Sequence, residues 1–112
     1  MAGCERGYIC AVCGQEVEEI RDSGLYLRFV LGEVRFDQLD RMPERHIRCD
    51  LTLAQFIVAE GFEPVMAEGP FAKAGLDPRF VADEERRVTR GFARLQDLST
   101  SEVPIWDYPI RD

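Results

Sequence analysis

The sequence predicts a small α+β domain, and three features carry that prediction. Two short cysteine and histidine pairs, CAVC at Cys10 and Cys13 and HIRC at His46 and Cys49, are separated by 32 residues. Apolar residues alternate with others between Leu25 and Asp37, a strand-like period. After Asp77-Pro78 the apolar positions recur at a helical period as far as Leu98. The 112 residues are 46% apolar and include 7 Phe, 3 Tyr and 1 Trp, enough for one modest core. The reading is a single domain over 1–112, with a metal-binding half at 8–61, a packing helix at 77–98 and an extended aromatic tail at 99–112.

The first element is a knuckle at Cys10 and Cys13. A two-residue gap lets one tight turn aim both sulfurs at a single ion while backbone amides point at them. Gly14 follows directly, where the departing chain needs a positive φ that glycine takes cheaply. The next element is a β-hairpin: Leu25, Leu27, Phe29 and Leu31 alternate with Tyr26, Arg28 and Val30, and Val34 and Phe36 alternate with Arg35 and Asp37. Gly32-Glu33 between them suits a type II′ turn. His46 and Cys49 then supply the second pair, and His46 is the chain's one histidine. Two such pairs make four N/S donors, the complement of a structural zinc ion. Cys10, Cys13, His46 and Cys49 are therefore the expected Zn2+ ligands. Cys4 is a spare thiol that could replace His46 in a four-thiolate set.

A short helix follows from Leu53 to Gly61, with Thr52 and Gln55 as a capping box. The order of knuckle, hairpin, second ligand pair and helix resembles the treble-clef class of zinc modules over residues 8–61. That resemblance implies Cys10 and Cys13 on the knuckle and His46 and Cys49 on the opening turn of the helix. The capping box departs from it, leaving HIRC in the turn before the helix. A shared scaffold of this kind implies a metal and a shape, not an activity.

Pro64, Gly69, Pro70, Gly75 and Pro78 mark the next stretch as a crossing loop. Its Phe62, Val65, Met66, Phe71 and Leu76 are expected to pack along the core. Asp77 as N-cap and Pro78 at the first helical position open the long helix. On it Val81, Val88, Phe92 and Leu95 share one face, and Arg86, Arg90 and Arg94 the other. The tail carries Ile105, Trp106, Tyr108 and Ile110, costly to leave in water, so it folds back over the core or docks on a partner.

Function is read mainly by exclusion. Acidic side chains outnumber basic ones 21 to 14, for a formal charge of −7, and neither half is basic. That disfavours a nucleic-acid binder, although the Arg86, Arg90, Arg94 stripe is a candidate anion-binding face. Asp83 and Asp97 on the same face point instead to local ion pairing. No apolar run approaches the roughly 18 residues of a membrane span, and the first residues do not resemble a secretory signal. A cytoplasmic location is expected.

With His46 on a metal, no histidine remains for acid-base chemistry. A zinc deaminase needs an HxE before its PCxxC, an HNH nuclease needs further His and Asn groups, and this chain contains no Asn. RING and LIM modules need eight ligands, and a thioredoxin-like dithiol needs a βαβ context. The expected function is a non-enzymatic, zinc-stabilised protein-interaction module, an adaptor or accessory subunit. A nucleic-acid-associated regulator using the arginine stripe and a redox protein using Cys10 and Cys13 are the alternatives.

Overall fold

The protein is described by a computed structural model over residues 8–98 and 102–110. Cys4 lies outside the described residues, as do parts of the tail. The chain begins with a minimal antiparallel pair, β1 (Tyr8–Ile9) and β2 (Glu16–Val17), registered Tyr8 to Val17 and Ile9 to Glu16. The knuckle is the turn between them. Among the described residues three α-helices follow: α1 (Gly24–Val30), α2 (Leu51–Ala54) and α3 (Pro78–Leu98). Short 3-10 turns, among them Ile20–Asp22 and Ile47–Cys49, connect these elements. The architecture is mostly helical with very little sheet.

The segment from Leu25 to Asp37 is not a hairpin. Residues Gly24–Val30 form α1, opened by Ser23, whose side chain accepts the Tyr26 N–H at 3.0 Å. Gly32, with φ +83°, closes it: the Gly32 N–H reaches the Phe29 carbonyl (3.0 Å) and the Glu33 N–H reaches that of Arg28 (2.9 Å). These two bonds are a Schellman stop. The glycine that suits a hairpin turn is equally the glycine that ends a helix. Leu25, Tyr26, Leu27, Phe29 and Val30 are all buried, so α1 sits inside the core with apolar residues around most of its circumference.

The helix expected over Leu53 to Gly61 also differs. It spans only Leu51–Ala54, with Asp50 in the N-cap position. After Gln55 its bonds tighten to 3-10 spacing, Phe56 N–H to the Leu53 carbonyl (3.1 Å) and Ile57 N–H to that of Ala54 (3.0 Å). The Val58 N–H then turns to the Thr89 hydroxyl of α3 (2.9 Å), which itself donates to the Phe56 carbonyl (3.2 Å). Gln55 does not close a capping box: its side-chain amide donates to the Thr52 carbonyl (3.2 Å) instead of accepting the Thr52 N–H. Its buried amide donates to the Phe71 carbonyl (2.8 Å) and accepts the Lys73 N–H (2.9 Å), anchoring the crossing loop.

The crossing loop runs as expected and buries Val65, but Met66 and Phe71 stand 73% and 67% exposed rather than packing inward. The long helix α3 forms where the pattern placed it. Asp77 caps it through Oδ1, which accepts the Arg79 N–H at 2.9 Å. Val88 and Leu95 are fully buried against the core, with Val81 and Phe92 at its margin. Gly91 lets α3 approach α1: a Cβ there would lie 2.4 Å from Leu31 Cδ2.

The described tail folds back. The Tyr108 ring lies 6.4 Å from that of Tyr26 and 6.3 Å from that of Phe29, and the Ile110 N–H takes up the last carbonyl of α1, that of Val30, at 3.0 Å. Ile105, Tyr108 and Ile110 are partly buried against the core, whereas Trp106 is 64% exposed. Among the described residues no helix is long and apolar enough to cross a membrane.

Candidate metal centre

The knuckle is built by backbone hydrogen bonds. The Cys10 N–H reaches the Gln15 carbonyl at 2.8 Å, and the Gly14 N–H returns to the Cys10 carbonyl at 3.0 Å. Gly14 has φ +77°, the conformation expected for the residue leaving the turn. The sulfur of Cys10 accepts the N–H groups of Val12 (3.4 Å) and Cys13 (3.5 Å).

Three contacts bring the second pair to this turn. The Ala11 N–H donates to the Glu44 carbonyl (2.8 Å), the Gly24 N–H donates to the Arg45 carbonyl (2.7 Å), and His46 forms a β-bridge with Ser23. The segment ahead of His46 is thus held between the knuckle and the start of α1. Gly24 eases this close approach, because a Cβ would sit 3.1 Å from the Arg45 carbonyl oxygen, tighter than an ordinary contact. Cys49 comes one 3-10 turn later, its N–H on the His46 carbonyl at 3.0 Å. HIRC accordingly occupies the turn immediately before α2.

The result is one cluster. The ligand atoms of Cys10, Cys13, His46 and Cys49 all lie within 4.8 Å of one another. His46 Nδ1 is 3.4 Å from the Cys13 sulfur and 3.9 Å from that of Cys49. A tetrahedral ion with metal–sulfur bonds of about 2.3 Å spaces its donors about 3.5 to 3.8 Å apart. The two His46–cysteine separations lie near that range, and the full set, within 4.8 Å, has only to draw in slightly around an ion. The other ring nitrogen, Nε2, lies 3.0 Å from the Glu16 carbonyl oxygen. A carbonyl can only accept, so this contact puts the proton on Nε2 and leaves Nδ1 as the free donor facing the sulfurs.

The Cys10 and Cys49 thiols are shifted in opposite directions. Burial pushes the Cys10 thiol up, but the N–H groups of Cys13, His46 and Val12 and the His46 ring outweigh it and leave the pKa at about 6. Cys49 rises to about 11, through burial and through its proximity to Cys10 and Cys13. The His46 pKa is raised: burial opposes the charged form, and the Cys10 sulfur, the Glu16 carbonyl and the charges of Cys10 and Asp22 outweigh it. Three thiolates this close would repel one another, and a bound cation relieves that repulsion. The donor set therefore has the chemistry of a metal site.

Four further residues support the ligands and carry no spacing signal in the sequence. The buried Glu44 carboxylate accepts from the Ser23 hydroxyl (2.8 Å), the Leu25 N–H (3.2 Å) and the Arg45 N–H (2.9 Å). The Asp50 carboxylate, beside Cys49, accepts two bonds from Arg28, at 2.9 and 3.1 Å. This pair ties α1 to the end of the ligand loop.

The other candidate site residues are dispersed. Arg86 is paired with Asp83, and the Arg94 guanidinium donates to the backbone carbonyls of Tyr108 (2.8 Å) and Asp107 (2.6 Å). Arg90 is exposed on α3. In the tail, Ile105, Tyr108 and Ile110 line the core margin and Trp106 faces outward. No protein-family model, curated protein or solved structure matches the chain.

Proposed function

We propose that the chain is a zinc-stabilised protein-interaction module, non-enzymatic, acting as an adaptor or accessory subunit. The observation that carries this reading is the closed donor set, three thiols and one imidazole within 4.8 Å of one another. Four protein ligands fill a tetrahedral shell and leave no position for a substrate, which is the pattern of a structural ion. Soft thiolates with one imidazole favour zinc, which has no redox chemistry and accepts a tetrahedron without preference. Cys10, Cys13, His46 and Cys49 would hold it, and its contribution would be to lock the first half of the chain.

The hairpin on which the treble-clef resemblance rests is replaced by α1, and the second ligand pair precedes α2 instead of opening it, so the resemblance is limited to a knuckle and a second ligand pair around one ion. The free thiols of Cys10, Cys13 and Cys49 accord with a reducing, cytoplasmic compartment. Arg86 and Arg94 are engaged within the chain, which reduces the charge that the arginine stripe offers to phosphate. Zinc on Cys10 and Cys13 would likewise withhold the dithiol of the redox reading.

Trp106 supplies exposed aromatic surface of the kind that anchors interfaces. A tagged, zinc-loaded chain is expected to associate with a stoichiometric protein partner or with itself. Replacing Trp106→Ala or removing residues 101–112 is expected to weaken that association. A strictly monomeric protein that captures nothing would contradict the proposal.

A further inference from the structure

A cleft of about 630 Å³ opens directly beside the ligands, with His46 and Cys49 in its wall. Its aromatic lining is Phe62, from the crossing loop, and Phe92, from α3, whose rings meet at 5.1 Å in an edge-to-face arrangement. The charged residues along it are Asp22, Glu63 and Arg48. The Arg48 guanidinium lies over the Phe62 ring, 4.8 Å from its centroid, and donates to the Glu63 carbonyl at 3.1 Å. One guanidinium thus already rests on this aromatic surface.

Charge decides what else the cleft would accept. A divalent ion bound by three thiolates and a neutral imidazole keeps one net negative charge, and the Cys49 sulfur brings it to the wall. The carboxylates of Asp22 and Glu63 add to it, against the single charge of Arg48. Aromatic faces, carboxylates and metal-bound thiolates all attract N–H-rich cations and repel phosphate. Arginine suits such a site best, because its planar guanidinium stacks on a ring while it donates to a carboxylate.

We propose that this cleft receives an arginine side chain from a basic segment of a partner polypeptide. The inference rests on the metal-bound reading of the chain and adds the chemistry of the partner to it. The cleft opens to solvent, so a segment can cross it with one side chain inserted beside the metal ligands and the Phe62-Phe92 pair. The acidic balance of the whole chain, −7, steers such a segment toward it.

The test uses ¹⁵N-labelled full-length protein loaded with zinc and titrated with a glycine-serine peptide bearing one central arginine. The same peptide with citrulline or glutamate in place of the arginine serves as control. Saturating shifts are expected at Asp22, His46, Cys49, Glu63 and Phe92 with the arginine peptide alone. The double variant Asp22→Asn, Glu63→Gln, with its zinc content unchanged, is expected to bind about tenfold more weakly. Zinc-loaded protein that shows no shifts, binds citrulline equally well, or binds arginine undiminished in the double variant would overturn this inference alone. Purified protein that takes up no zinc would overturn the metal reading and this inference with it.

Discussion

At the scale of single residues, Ser23 joins three parts of the ligand frame. Its hydroxyl donates to Glu44 and accepts the Tyr26 N–H, and its backbone bridges His46. Ser23→Ala removes both a helix cap and a charge-assisted hydrogen bond, and is expected to cost about 2 kcal/mol in urea unfolding of the metal-loaded protein. An unchanged midpoint would show that the frame does not depend on it. The Arg28–Asp50 pair makes an asymmetric prediction. The Asp50 side chain is 2% exposed, and without Arg28 its nearest remaining cation is Arg45, at 3.9 Å. Arg28, 31% exposed, would still have Glu33 at 2.6 Å if Asp50 were neutralised. Arg28→Met is therefore expected to cost about 3 kcal/mol, and Asp50→Asn less, about 1 to 2 kcal/mol after allowance for solvent around Arg28. Equal costs would contradict this view of which charge is stranded.

At the scale of elements, the contact between α1 and α3 passes through Gly91. A Cβ at that position would sit 2.4 Å from Leu31 Cδ2 and 3.4 Å from Leu27 Cδ1. Gly91→Val is expected to destabilise the protein by about 2 kcal/mol through overpacking. Adding Leu31→Ala should recover part of that loss, a coupling that a double-mutant cycle measures; strict additivity would mean that the two residues do not meet. The helix that carries Gly91 was legible in the sequence. Asp77-Pro78 marks its start unambiguously, and its exposed face is charged, so its apolar stripe has a readable period. Helix α1 was not. Burial of Leu25, Tyr26, Leu27, Phe29 and Val30 erases the contrast that period arguments need, and Gly32 serves a turn or a helix stop equally. The extent of α2 was hidden for another reason, since its bonds tighten to 3-10 spacing after Gln55 and the Val58 N–H is then taken by Thr89, 31 residues away. The four ligands were legible because their chemistry requires a spacing. Glu44 and Asp50, single carboxylates recruited by the fold, leave no such trace.

At the scale of the whole molecule, the ligands come from both ends of a 32-residue excursion that contains α1. Closing a loop of that length costs a few kcal/mol of chain entropy, whereas structural zinc sites in small peptides supply on the order of 10 kcal/mol. The ion would thus hold the knuckle and the HIRC turn as one frame around α1, against which α3 and the tail pack. Removing it with a strong chelator is expected to lower the thermal midpoint by more than about 15 °C. A midpoint that does not move would show that α1 and α3 fold without the metal frame. The most direct measurement is the elemental content of the purified protein, compared with Cys13→Ser and Cys4→Ser. The expected result is about one zinc per chain in the wild type and in Cys4→Ser, and none in Cys13→Ser. A wild-type protein free of zinc, or a Cys13→Ser variant that retains it in full, would contradict the assignment of Cys10, Cys13, His46 and Cys49 as its ligands.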